Sequence, residues 1–226
     1  MSFLEENIKG LCDKHGMDFH SFIADLEVDH VNELSISDLE AISEEYDCDL
    51  YSLIFVHRFK SNELKSKLSE IKLLVIDVDG VLTDGGMYFT ESGDQFKKFN
   101  TKDGMGILHL TKSGFQVAII SSGFKGELVK NRAEMLGVQY CYVGRDAKLG
   151  VLKSHCAELG IDLKNVAMIG DDINDLEVMR SVGLSVCPSD AVKIVKTNSS
   201  IILNKRGGEA CVREFIDEYL LENPLD

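Results

Sequence analysis

Two patterns of hydrophobic and polar positions run along this chain, and one gives way to the other near residue 71. Before residue 60 the apolar residues recur at helical spacing: Phe3, Ile8 and Leu11, then Phe19, Phe22, Ile23 and Leu26. The stretch Ser35-Ile-Ser-Asp-Leu-Glu-Ala-Ile-Ser predicts an amphipathic helix capped by Ser35 or Ser37, and Asp49-Leu-Tyr-Ser-Leu-Ile-Phe begins another. Residues 57–70 are polar and hold neither Pro nor Gly, which predicts a helical connector, placed at 61–70, rather than a floppy linker. From residue 71 short apolar runs alternate with helical segments. The runs are Leu73–Val78, Gln116–Ile120, Tyr140–Val143, Val166–Ile169, Leu184–Cys187 and Ser200–Leu203. Helices are predicted near 103–113, 125–136, 146–159, 173–181, 190–196 and 208–221. Such alternation predicts an α/β fold, a doubly wound parallel sheet with helices on both faces. One irregularity, residues 86–99, reads as a β-hairpin turning at Ser92-Gly93-Asp94, with Tyr88, Phe96 and Phe99 supplying side chains. The chain therefore divides into a helical module at 1–60, a connector at 61–70 and an α/β domain at 71–226.

Charge sharpens that division. The 226 residues carry a formal net charge of −14, and residues 1–60 hold fourteen acids against four bases (Lys9, Lys14, Arg58, Lys60), a balance of −10. The other 166 residues carry the remaining −4, an asymmetry expected of two modules with different jobs. A surface at −10 repels a phosphate backbone. No apolar run approaches the ~18 residues of a membrane span. The first residues lack the basic start and apolar run of a signal peptide. The six cysteines (Cys12, Cys48, Cys141, Cys156, Cys187, Cys211) include no Cys-x-x-Cys pair, and the histidines show no His-x-x-x-His spacing. Reduced thiols and a cytosolic protein without zinc are the expectation.

Candidate chemistry collects at the predicted strand ends, where doubly wound sheets bind ligands. The first strand ends in Asp77-Val-Asp79-Gly80-Val-Leu-Thr-Asp84. Two acids one residue apart, followed by Gly, can face one metal ion if the chain turns there. An isolated Asp-x-Asp-Gly is as often an acidic turn, and the spacing does not fit a calcium loop. Ser121-Ser122-Gly123 follows the second strand, Lys148 opens a helix after the third, and Gly170-Asp171-Asp172-Ile-Asn-Asp follows the fourth. Singly, each of these is commonplace; acid pair, hydroxyl, lysine and acid pair in that order are specific.

With those residues the chain resembles the haloacid dehalogenase superfamily, and within it the capless phosphatases of 3-deoxy-octulosonate 8-phosphate and of nine-carbon, sialic-acid-type 2-keto-3-deoxy 9-phosphates. The subfamily signal lies in residues 77–86, in Lys98-Phe-Asn-Thr-Lys-Asp-Gly, in Val182-Gly-Leu-Ser and in Arg206-Gly-Gly-Glu, and the resemblance covers residues 71–221. It implies that Asp77 is a nucleophile and that Asp79 protonates the leaving oxygen and later activates water. It implies Mg²⁺ held by Asp77, the Asp79 main-chain carbonyl and Asp171, with Asp172 bonding a metal-bound water or Lys148. Ser121 or Ser122, Ser121 favoured because it directly follows the apolar run, would bind phosphate oxygens together with Lys148. Thr101, Lys125 and Arg132 are candidate substrate contacts, although a surface cation is the plainer reading of the last two. The resemblance further implies a homotetramer in which neighbouring subunits and Arg206, Gly207 and Gly208 close the pocket; a glycine-rich turn before the last helix is the equal alternative. The setting implied is synthesis of a surface sugar acid, as in lipopolysaccharide.

Residues 34–55 resemble lambda-repressor-type helix-turn-helix proteins. Where a recognition helix should present Arg, Lys or Gln, however, the chain reads Glu27-Val-Asp-His-Val-Asn-Glu. Contact with a protein partner, through apolar surface from Phe19, Phe22, Leu50 and Phe55, is expected of this module rather than DNA binding.

Overall fold

A computed structural model describes residues 3–46, 48, 50–55, 62–123 and 126–221. The chain divides into two compact units, Met1–Ser66 and Lys67–Asp226. Among the described residues no helix is long and apolar enough to cross a membrane.

The first unit is helical: α1 (Phe3–His15), α2 (Phe19–Asp25), a 3₁₀ turn (Val31–Glu33), α3 (Ile36–Glu45) and α4 (Leu50–Phe55). Asp18 caps α2, its carboxylate accepting from the Ser21 amide at 2.8 Å. Ser35 rather than Ser37 caps α3, in a reciprocal box with Asp38 that satisfies two amides and contributes about 1 kcal/mol. Ile8, Leu11, Cys12, Ile23, Val31, Leu39, Ile42 and Leu53 form the core. Asn7, fully buried, donates to the Leu53 carbonyl at 2.9 Å and ties α1 to α4. Phe19, Phe22 and Leu50 pack against this core, so the apolar surface expected from them is largely spent within the module. Phe55 and Tyr51 remain exposed. The connector appears as α5 (Asn62–Ser69); residues 57–61 lie outside the described residues.

The second unit is a six-stranded sheet: β1 (Leu73–Ile76), β4 (Gln116–Ser122), β5 (Tyr140–Gly144), β6 (Val166–Ile169), β7 (Leu184–Cys187) and β8 (Ile201–Ile202). A separate hairpin pairs β2 (Tyr88–Phe89) with β3 (Gln95–Phe96), antiparallel. The large sheet runs β5-β4-β1-β6-β7-β8, and every neighbouring pair is parallel. Leaving the hairpin aside, chain order across the sheet is 3-2-1-4-5-6, which reverses direction beside β1. Every residue of β1, β6 and β7 is buried, as strands covered on both faces must be. Leu73, Val75, Ala118, Ile120, Val166 and Met168 pack with Leu152 and Cys156 of α8 (Lys148–Leu159). Each Leu, Ile, Val or Met side chain among them stabilises by about 1.5–3 kcal/mol when fully buried. The remaining helices are α6 (Thr101–Lys112), α7 (Glu127–Met135), α9 (Leu176–Met179), α10 (Lys193–Thr197) and α11 (Cys211–Phe215).

Two predicted helices differ in form. The one expected at 173–181 is a 3₁₀ turn (Ile173–Asp175) leading into the single turn of α9, because Asp172 and Asp175 cap that turn reciprocally. The one expected at 208–221 begins only at α11 and continues as a wide turn over Ile216–Leu220. Its start is set from afar: the buried carboxylate of Asp103 on α6 accepts from the Arg213 amide at 2.8 Å. Burial pushes Asp103 up to about 6.

Candidate active site

Behind β1 the chain makes a tight turn that sets two carboxylates at the carboxyl end of the sheet. Asp77 is extended, with its amide bonded to the Ile169 carbonyl of β6 at 3.0 Å. Asp79 follows, and Gly80 then takes φ +88°, a conformation costly for any residue with a side chain. A Cβ at Gly80 would also overlap the Asp171 carboxylate, so glycine here lets the loop after β6 approach the turn after β1. Thr83 closes the turn, its amide donating to the Val78 carbonyl at 3.0 Å.

Beneath the turn lies a buried charge cluster. Lys148, the first residue of α8, donates to Asp77 Oδ1 at 2.7 Å and to Asp175 Oδ1 at 2.6 Å, with its side chain 3% exposed. Asp175 Oδ2 accepts from the amides of Asp171 (3.1 Å) and Asp172 (3.4 Å). Burial pushes Asp77 up to about 7, assisted by the negative charge of Asp175 and opposed by Lys148. Burial pushes Asp171 up to about 8, with Asp77, Asp175 and Asp172 adding repulsion. On Lys148 burial acts to lower the pKa, but the two carboxylates outweigh it and the net shift is upward. Three carboxylates thus face one ammonium: the cluster is short of positive charge.

Oxygens of Asp77, Asp171 and Asp175 lie within 4.8 Å of one another, a spacing that one metal ion can bridge. Both oxygens of Asp175 are already committed, and that residue is fully buried, so it serves Lys148 rather than a metal. Asp171 Oδ1, in contrast, is buried and accepts no hydrogen bond. An orphaned oxygen beside the Asp77 carboxylate, in a donor set made only of oxygens, fits a hard divalent cation such as magnesium.

Two clefts open on this end of the sheet. One, of about 220 Å³, is lined by Asp77, Asp79, Gly85, Ser121, Ser122, Asp171, Asp172 and Asn174. The other, of about 470 Å³, runs on from Asp79, Ser121 and Ser122 to Val129, Val143 and Arg145, with Met87, Gln95 and Lys97 of the hairpin segment on its wall. Lys97 pairs with the Asp79 carboxylate.

Residues 144–215 match the family model of haloacid dehalogenase-like hydrolases. The chain is 40% identical over 161 residues to the 3-deoxy-D-manno-octulosonate 8-phosphate phosphatase of Salmonella typhi, covering 71% of this chain and 85% of that protein. The chain belongs to the 3-deoxy-D-manno-octulosonate 8-phosphate phosphatase family. Among solved structures, the enzyme of that name from Yersinia pestis superposes with a TM-score of 0.68 at 37% identity, covering 72% of this chain and 87% of that one. The Moraxella catarrhalis enzyme, solved with a magnesium ion, a phosphate ion and a KDO molecule, gives 0.68 at 36% identity, covering 71% and 92%.

The phosphatase brings together Asp77, Asp79, Ser121, Ser122 and Asp171 on one cleft, with Lys148 directly beneath Asp77. Asp172 is exposed on that cleft and its Oδ1 accepts from the Ile173 amide at 2.7 Å; of the two partners expected of it, a metal-bound water or Lys148, the second is bonded by Asp175 instead. Asp175 carried a signal of its own, a third acid one turn beyond the Asp171-Asp172 pair. Lys97 carried none, because periodicity does not say where a hairpin lysine reaches. Arg145 stands at the end of β5, where the strand-end rule places ligand contacts.

The other substrate candidates fall elsewhere. Lys125 lies outside the described residues. Arg132 sits over the Phe99 ring at 5.9 Å and fills the space left by Gly104, so it is a packing cation between α7 and α6. Thr101 is exposed at the start of α6 and lines neither cleft. Arg206 donates to Asp190 at 3.3 Å. Gly207 and Gly208 press on the acid turn of the same chain: side chains there would overlap the Gly80 carbonyl and the Asp84 amide, and the Gly208 amide donates to the Val81 carbonyl at 2.9 Å. Asn100 Nδ2 holds the Gly208 carbonyl at 3.0 Å. Within one chain, therefore, the glycine pair buttresses the turn that carries Asp77 and Asp79.

Proposed function

We propose that this phosphatase hydrolyses the phosphomonoester of a 2-keto-3-deoxy sugar acid, octulosonate 8-phosphate or a nononate 9-phosphate, through a phosphoaspartyl intermediate on Asp77. The observation that carries the reading is the Lys148–Asp77 contact at the carboxyl end of β1, with Asp79 two residues along and two hydroxyls across the cleft. Lys148 holds Asp77 Oδ1, leaving Oδ2 to attack phosphorus. As the P–O bond to the sugar breaks, Asp79 gives the departing oxygen its proton; it then takes one from the water that attacks the phosphoaspartate, which frees phosphate and regenerates Asp77. Ser121, Ser122 and the third N–H of Lys148 would meet the phosphate oxygens. Asp77, Asp171 and the Asp79 main-chain carbonyl would hold magnesium, which would supply positive charge to offset that of the carboxylates and the phosphate. The larger cleft accommodates the sugar, and Arg145 in its wall suits a carboxylate. A panel of sugar phosphates, assayed for phosphate release with magnesium and with chelator, tests this. The expected result is turnover of a keto-deoxy sugar acid phosphate that chelator stops. Preference for a neutral sugar phosphate would overturn the substrate class.

We infer further that the active form is a cytoplasmic homotetramer. Among the described residues of the second unit none forms a cap domain, and the hairpin exposes Met87 (71%), Phe89 (58%) and Phe96 (51%), apolar surface that a second copy would cover. The acidic module 1–60 serves a protein partner or assembly rather than nucleic acid, and contributes nothing to the chemistry. A chain beginning at Asn62 should keep magnesium-dependent hydrolysis with kcat little changed. Full-length protein should not shift duplex DNA at physiological salt, and sedimentation should return the mass of four chains. Loss of catalysis by a folded shortened chain, or a fully active monomer, contradicts these assignments.

A further inference from the structure

Lys97 ends the hairpin segment, among neighbours that are largely exposed. Its own side chain is 10% exposed, and its ammonium lies on Oδ1 of Asp79, whose side chain is 46% exposed. Among the described residues the only other donor to that carboxylate is Thr83 Oγ1, also on Oδ1, at 3.5 Å. No described residue donates to Oδ2. We propose that Lys97 is a positioning residue for the hydrolysis: it fixes Asp79 by Oδ1 so that Oδ2 is the oxygen that gives and takes the proton. The inference rests on the acid–base role proposed above for Asp79.

Asp79 stands half-exposed on a turn next to a glycine at φ +88°, so without Lys97 a long contact to Thr83 is the only hydrogen bond from a described residue that restrains its side chain. A misplacement of ~1 Å in a proton donor costs on the order of 10²-fold in rate. The chemistry is also compatible with the contact throughout the cycle. A carboxylic acid with its proton on Oδ2 keeps Oδ1 as an acceptor, so the Lys97 bond persists while Oδ2–H protonates the departing sugar oxygen, and again while Oδ2 takes the proton of the attacking water. Finally, the contact joins the hairpin to the acid turn across eighteen residues. Tyr88, bonded to Asp84 at 3.0 Å, and Lys98, paired with Asp84 at 3.6 Å, make a second tether to the same turn. The hairpin is thereby a support for the proton donor as well as a cleft wall.

The test compares two leaving groups. An alkyl oxygen needs a proton to depart, whereas p-nitrophenolate departs without one. Wild type, Lys97→Gln, Lys97→Arg and Asp79→Asn are assayed on 3-deoxy-D-manno-octulosonate 8-phosphate and on p-nitrophenyl phosphate, with thermal midpoints recorded. Because hydrolysis of the phosphoaspartate is common to both esters, the first displacement is read as the rate of leaving-group release in a single turnover. Lys97→Gln is expected to lower that rate on the sugar phosphate by on the order of 10²-fold, with KM little changed, and on p-nitrophenyl phosphate only a few-fold. Lys97→Arg should recover part of the loss, and Asp79→Asn should show the same selectivity more strongly. Equal losses on both esters for Lys97→Gln, or an effect confined to KM, overturns the positioning role while leaving Asp79 as the acid. Absence of selectivity in Asp79→Asn removes the acid–base reading itself, and the inference falls with it.

Discussion

Asp77→Asn is expected to abolish phosphate release and to leave the fold intact. The amide is close to isosteric and can still accept from Lys148, but it is a poor nucleophile, and loss of a covalent nucleophile costs ~10⁴-fold or more. Stability should move the other way. Burial and Asp175 raise Asp77 to about 7 in the folded state, far above its ordinary carboxylate value. An acid whose pKa is raised on folding binds its proton more tightly in the native state, so stability falls as pH rises from the unfolded value toward the folded one. At pH 8, in chelator, ionised Asp77 therefore opposes folding, and the asparagine variant should melt above wild type. At pH 5 folded Asp77 is neutral but its unfolded counterpart is still ionised, so the difference should narrow, closing only below the ordinary carboxylate value. Thermal melts at the two pH values and a phosphate-release assay read both halves. Undiminished turnover would falsify the covalent mechanism. A midpoint below wild type at pH 8 would show that the Lys148 pairing outweighs the desolvation of Asp77.

How much of this is legible in the sequence depends on the kind of constraint. The sheet is legible because β1, β6 and β7 are buried on both faces and so appear as unbroken apolar runs; the predicted and observed limits of Val166–Ile169 and Leu184–Cys187 coincide. The placement of Asp77, Ser121, Lys148 and Asp171 is legible for a related reason, since Ser121 ends a strand, the others follow one, and parallel strands deliver their carboxyl ends to one edge. Contacts between loops are not written that way. Asp175 and Asp172 are chemically identical and three residues apart, and only the tight 3₁₀ turn decides that Asp175 goes inward to Lys148 while Asp172 caps the turn from outside. Arg132 reads as a free surface cation because nothing in its own helix reveals that Gly104 and Phe99 of another segment receive it. Likewise the motif Lys98-Phe-Asn-Thr-Lys-Asp-Gly looks like substrate-binding chemistry. In the fold, its Asn100 and Asp103 instead bond the main chain of residues 208 and 213, locking the glycine pair against the acid turn.

The second large effect is expected from Lys148→Met, which should damage stability and catalysis together, the former in a pH-dependent way. Lys148 is a buried ammonium shared by two buried carboxylates, and its folded pKa is raised. A base raised on folding contributes its full stabilisation below its unfolded pKa and loses it only as pH climbs through the folded value, so at pH 5 and at pH 8 alike wild type has the whole benefit. Methionine matches the length of the aliphatic stem and leaves no large cavity, but it strands Asp77 and Asp175 without a counter-charge. Breaking a buried pair in this way typically costs about 3–5 kcal/mol, because an uncompensated charge remains inside. The remedy open to the variant is protonation. With the ammonium gone, Asp77 should take up its proton at a still higher pH than the folded value of about 7, so near pH 5 it is neutral and much of the penalty disappears. Denaturant unfolding in chelator should therefore show a large loss at pH 8 and a smaller one at pH 5. An equal loss at both pH values would mean that packing around the stem, rather than charge, is what Lys148 supplies. Turnover should fall by on the order of 10²–10³-fold even where the variant is folded, as the phosphate loses a donor and Asp77 loses the bond that orients it. Lys148→Arg should not restore either property, because a planar guanidinium cannot stand in for a point charge held at 2.7 and 2.6 Å between two buried oxygens.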